Sequence, residues 1–218
     1  MLLDLDHIGE ASVRPSPYPF FVVPNALVAA RAADIAAAFP TIDRPGAISV
    51  DQTDHHPLFA QLLDDLRSDA FRAIIADKLD LDLDQRDIVI NVRGQVRLTD
   101  GNIHTDTPSK LATVLLYFDP PDAASDTGLR ILRGSRNLDD AVEEIPSTLG
   151  SMLVFKVTPD CWHGHKPFVG QRHSLQLNYL SGVKTIGKHQ LAHRLIGRAK
   201  RKLNALRYTP ARGHIHRL

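Results

Sequence analysis

The sequence predicts a mainly β domain behind a layer of N-terminal helices, and three observations predict it. After Asp87 the chain breaks into short runs, "DIVINVRGQVRL", "LATVLLYFD", "GLRIL", "SMLVFKV" and "HSLQLNYL", each rich in β-branched or aromatic residues and bounded by Gly, Pro, Asp or Ser. No helix of crossover length falls between them, so antiparallel pairing in a sandwich or barrel is expected over a doubly wound sheet. Before Asp87, apolar residues recur at helical spacing instead.

In chain order, "PNALVAARAADIAAAFP" opens with Asn25 as an N-cap, spaces Leu27, Arg31 and Ile35 by four and stops at Pro40, which predicts a first helix. A second is expected from Pro57, with Leu58, Leu62, Leu66, Ile74 and Ile75 as its apolar stripe. The five β runs follow. Residues 1–183 are read as one domain with its core over 88–180, and residues 184–218 as a basic helical tail.

Charge separates those two parts. The chain of 218 residues has a net charge of +1, yet residues 184–218 hold ten Lys and Arg and no acid, so residues 1–183 carry sixteen bases against twenty-five acids. Cys161 is the single cysteine, which excludes a disulfide within the chain and fits a reducing compartment. The first twenty residues carry acids where a signal peptide carries bases, and no apolar stretch reaches the ~20 residues of a membrane span. The expectation is a cytoplasmic protein.

The chemistry concentrates at "GNIHTDTPSK", residues 101–110. Residues two apart on an extended segment point the same way, so His104 and Asp106 would present an imidazole and a carboxylate side by side. H-x-D alone is a weak signal, since such residues beside a strand usually belong to turns. A third ligand is offered by "CWHGHKPFVGQRHS", residues 161–174, where His163 and His165 open a strand. Only one of the pair can ligate if they share that strand, and the spacing to Arg172 favours His163. Two imidazoles and a carboxylate on one face of an octahedron form the facial triad of non-haem Fe(II) oxygenases. Nine residues after His163, Arg172 offers a planar fork suited to a carboxylate, and Ser174 would face the same way. Cys161 is expected as a buried filler, Trp162 as packing, and His173 on the opposite side of the strand from Arg172.

These residues together resemble the 2-oxoglutarate and Fe(II)-dependent dioxygenase superfamily, in particular its prolyl-hydroxylase-like branch. "HTD" supplies His104 and Asp106, "LLYFD" Tyr117, "TGLRIL" Gly128, and "WHGHKPFVGQRHS" His163 and Arg172; the likeness spans about residues 88–180, with a weaker echo in "YPFFVVPNAL". The resemblance implies a double-stranded β-helix, a cupin-like jelly roll. It implies iron held by His104, Asp106 and His163, and 2-oxoglutarate held at its far carboxylate by Arg172 with Tyr117 and Ser174. The implied activity is hydroxylation by O₂ with conversion of 2-oxoglutarate to succinate and CO₂, ascorbate being an optional addition. Halogenases of this kind replace the carboxylate, and Asp106 is intact; related nucleic-acid demethylases resemble R-x-N-x-x-x-R, which this chain lacks, so nucleic acid is not the expected partner.

The loops expected around the pocket, near residues 44–56, 93–103 and 120–127, carry Arg44, His55, His56, Arg93, Arg97 and Asn102, which leans toward a polar or anionic substrate, small or carrier-linked. In the tail, Leu191, Leu195, Ala199 and Leu203 recur at four among Lys188, Arg194, Arg198, Lys200, Arg201 and Lys202. Residues 188–207 thus read as a basic amphipathic helix that packs on the acidic body or docks on an anionic membrane or acidic partner, making the protein peripheral to a membrane in the latter case. The competing class is a non-catalytic jelly-roll module that binds acidic partners through this tail.

Overall fold

The computed structural model of the protein describes residues 1–120 and 128–182. The tail, its predicted helix and any role in docking lie outside the described residues. Within them, two antiparallel sheets face each other, with helices covering the outer face of the larger one.

The larger sheet runs β1 (Phe20–Val23), β7 (Met152–Lys156), β4 (Lys110–Tyr117), β9 (Gly170–Leu180), β3 (Ile88–Val96) and β2 (Ile48–Ser49). The smaller one is β6 (Ala141–Ile145), β5 (Leu129–Leu132) and β8 (His163–Gly164). Because side chains alternate along a strand, the larger sheet has two unlike faces. Ile90, Val92, Val114, Leu116, Val154, Leu175 and Leu177 point outward into one core shared with the helices. Phe20, Tyr117, Leu153 and Phe155 point inward and meet Leu129, Ile131 and Ile145 of the smaller sheet. Strands that pass back and forth between two facing sheets make a double-stranded β-helix, as the sequence pattern predicts.

The helical layer is α1 (Leu5–Glu10), α2 (Ala32–Ala37), α3 (Pro57–Arg67) and α4 (Asp69–Leu79). Phe59, Leu62, Leu63, Leu66, Phe71 and Ile75 bury its apolar stripe on the sheet. The first predicted helix is shorter than its periodicity, and Asn25 is not its cap. Leu27 bridges to Leu3 and the Ala26 amide donates to the Gly150 carbonyl, so the backbone is committed elsewhere until a 3₁₀ turn begins at Ala29. The second is two helices. Ser68 ends α3 in an extended conformation and its hydroxyl accepts from the Phe71 amide at 3.2 Å, capping α4. Ser68→Ala removes that cap, and chemical denaturation should register a loss of about 1 kcal/mol.

Strands β1, β2, β6 and β8 and helix α1 are too short to stand out from sequence; all run to six residues or fewer.

Candidate active site

Register delivers two of the three predicted ligands. Ile131 of β5 points into the core between the sheets, and its partner across the ladder is His163, which therefore faces inward too. On the other side of β8, His104 and His163 form an antiparallel bridge, exchanging both backbone N–H···O bonds at 3.0 Å. Their rings lie 4.3 Å apart, and that of His163 rests 5.0 Å from Phe155. Asp106, two residues on, joins them: one ligand atom from each of His104, Asp106 and His163 lies within 4.8 Å of the other two. His165 stays out of this group.

The protonation states suit a cation. The His104 Nδ1–H donates to the Asn102 carbonyl at 2.8 Å, and the His163 Nδ1–H to the Cys161 carbonyl at 2.7 Å. Each ring nitrogen used in this way leaves Nε2 with a free lone pair. Burial, then the neighbouring His104, lowers the pKa of His163 to about 4, which keeps the ring neutral near pH 7. For Asp106 burial works against the charge, but the Lys110 ammonium at 2.7 Å, the Thr113 hydroxyl and His163 outweigh it and hold the carboxyl below its ordinary range. Ligands about 2.1 Å from a shared ion stand at most about 4.2 Å apart, so a small side-chain adjustment closes the set.

Thr113 and Asn178 carry no signal of their own in the sequence. They face each other across β4 and β9, with the Thr113 hydroxyl 3.1 Å from Asn178 Oδ1 and also on Asp106. Only pairing of two distant strands brings them to the carboxylate. Support of this kind typically matters 10–100-fold in metal affinity, so Thr113→Val should weaken Fe(II) binding by about that factor, read by competition with a chelator.

Arg172, Tyr117 and Ser174 also converge. Ser174 pairs with Tyr117 across β9 and β4, and Arg172 donates to the Tyr117 hydroxyl at 3.0 Å with its guanidinium over that ring. Arg172 is only 6% exposed, forms no ion pair among the described residues, and its Nε is buried with no hydrogen-bond partner. A buried guanidinium without an acid is rare, because desolvating a charge is costly unless an anion compensates. Its surroundings therefore fit a carboxylate ligand. His173 points to the other side of β9, where its ring donates to the buried Asp119 at 2.7 Å. Cys161 is buried, as expected.

His165 occupies a different place. Its ring packs against Gly101, where a Cβ would come within 2.4 Å of it, and Gly101 has φ +86°, so glycine is required there twice over. Burial, then Arg172, lowers the His165 pKa to about 4. With two histidines that stay neutral in the fold but take a proton at an ordinary 6.5 when unfolded, the unfolded state binds more protons between these values. The metal-free protein should therefore lose stability as pH falls from about 6.5 to about 4, a trend that melting temperatures in matched buffers would follow and that His165→Asn should reduce.

Of the residues expected in pocket loops, Arg93 stands in strand β3, His56 accepts from the Leu58 amide at the start of α3, and His55 packs on Phe59. The last two serve the helix.

No known family's sequence profile matches the chain, and no curated protein does. Solved structures do. A prolyl-4-hydroxylase from Pseudomonas putida aligns over 81% of this chain and 90% of its own, at 16% identity and a TM-score of 0.53. A viral collagen prolyl hydroxylase from Paramecium Bursaria Chlorella virus-1 aligns over 75% and 90%, with 13% identity and a TM-score of 0.49. HygX from Streptomyces hygroscopicus, with nickel and 2-oxoglutarate bound, aligns over 75% and 82%, with 13% identity and a TM-score of 0.48. The chain therefore has the double-stranded β-helix fold also found in prolyl hydroxylases.

Proposed function

We propose that the protein is an Fe(II)- and 2-oxoglutarate-dependent dioxygenase that hydroxylates a polar or anionic substrate. The observation that carries this reading is the conjunction, between the two facing sheets, of the His104–Asp106–His163 cluster with a buried Arg172 that has no acid partner among the described residues. His104, Asp106 and His163 would hold the iron, which supplies the oxygen chemistry when bound with 2-oxoglutarate and O₂. The backbone carbonyls of Asn102 and Cys161 fix the imidazole tautomers, and Thr113 with Lys110 keeps Asp106 charged and oriented. Arg172, with the Tyr117 hydroxyl and Ser174 beside it, holds the far carboxylate of the cosubstrate. Phe155, Leu153 and Ile131 wall the site with apolar surface that excludes water.

The likeness in fold to prolyl hydroxylases supports the reading but does not assign a substrate. The competing binding-module reading depends on the tail, outside the described residues, and gives no purpose to the metal cluster or to an Arg172 that has no acid among the described residues. Titrating 2-oxoglutarate onto the Fe(II)-loaded protein under nitrogen tests the proposal. One equivalent should bind, far more tightly with iron than without, and equal affinity in both states would remove iron from the cosubstrate site.

A further inference from the structure

A second arginine stands on the same inner face of the larger sheet. Arg93 of β3 pairs with Ser174 of β9, which pairs with Tyr117 of β4, so the three stand in one row across the inner face of the larger sheet. It is partly buried, and among the described residues its guanidinium has no hydrogen-bond or ion-pair partner. The acid that acts on it is Asp100, whose carboxylate is already occupied by the Arg97 backbone amide and guanidinium, each at 3.0 Å. Arg172 and Arg97 repel its charge. Gly94, next in the strand, sits at a register shift and so close to Ile42 that a Cβ would come within 2.6 Å of that side chain, which seats this part of β3 tightly against its neighbour.

The next row down is also polar. Ser49, Asn91 and Gln176 are cross-strand partners on β2, β3 and β9, on the same face as Arg93. Beyond them the row turns apolar at Leu115 and Leu153. One half of the sheet's inner face is thus built for hydrogen bonding, and it holds two like charges. A single carboxylate on Arg172 leaves the second guanidinium uncompensated in a partly desolvated place, which is costly unless another anion arrives.

We propose that Arg93 binds an oxyanion, a carboxylate or phosphate, of the substrate that is hydroxylated, beside the cosubstrate carboxylate on Arg172 and against the amides of Asn91 and Gln176. This inference rests on the cosubstrate assignment above. It selects anionic substrates over neutral ones and makes Arg93 a specificity-determining residue. A planar fork in a fixed strand reads two oxygens at once, whereas lysine offers only a point charge.

The test uses the full chain loaded with Fe(II) under nitrogen and saturated with 2-oxoglutarate, titrated with inorganic phosphate and separately with acetate at ionic strength held constant with chloride. At least one probe should bind the wild type. Arg93→Leu should weaken that probe about tenfold or more beyond any change it makes in 2-oxoglutarate affinity, and Arg93→Lys should recover part of the loss. Arg93→Gln repeats the test with polar volume kept, in case leucine impairs folding. The preferred probe tells a carboxylate reader from a phosphate reader. The proposal is overturned if neither probe binds, if Arg93→Leu leaves probe affinity unmoved, or if it weakens 2-oxoglutarate as much as Arg172→Leu does, which would mean that both arginines grip one carboxylate. Should 2-oxoglutarate fail to bind the wild type at all, the cosubstrate assignment falls, and the same oxyanion titration of the metal-loaded protein alone still decides Arg93.

Discussion

His163→Ala and Asp106→Ala each abolish tight Fe(II) retention and reduce 2-oxoglutarate consumption to background, while the fold survives. The reason lies in ligand count: three donors from two segments converge here, and a pair cannot hold a labile ferrous ion as three do. The histidine bridge is made by backbone atoms, so it persists when the ring is removed. Iron per chain after gel filtration, with circular dichroism as the folding control, gives the readout. His165→Ala serves as the comparison, since that ring packs on Gly101 outside the cluster, and it should retain iron. Loss of iron in His165→Ala together with retention in His163→Ala would exchange their roles.

Arg172→Leu raises the 2-oxoglutarate concentration for half-maximal turnover by about two to four powers of ten, with iron affinity nearly preserved. Breaking a desolvated ion pair by removing one partner costs on the order of 3–5 kcal/mol, which sets that range. Two other bases cannot substitute. Lys110 is held by Asp106, and Arg130 by Asp139 and Glu144. An unchanged cosubstrate dependence would move the carboxylate away from Arg172, with Arg93 the next group in the same row.

What the sequence disclosed follows from physical range. The long strands β3, β4 and β9 announce themselves because alternation over eight or more residues is a local pattern. His104 and Asp106 were visible because two residues share one extended segment, and His163 because Arg172 follows at a fixed spacing. What stayed hidden depends on pairing between distant strands. Thr113 and Asn178 meet only through the β4–β9 register, and Arg93, which lies in a β run legible in the sequence, joins the row of Ser174 and Tyr117 only once β3 is paired with β9. The first helix is shorter than its periodicity for the same reason: a local pattern over 25–39 does not reveal that Gly150 and Leu3 claim the backbone at Ala26 and Leu27. Asn25 follows Pro24 in a turn, which mimics a cap in sequence without being one.

Oxygenase activity is read from the succinate formed from 2-oxoglutarate in air by the purified full-length protein, with and without Fe(II). Succinate should appear only with iron, disappear in Asp106→Ala and need a far higher 2-oxoglutarate concentration in Arg172→Leu. Wild-type protein that is folded, iron-loaded and saturated with 2-oxoglutarate, yet forms no succinate with or without a library of anionic metabolites, would rule out a 2-oxoglutarate-dependent dioxygenase.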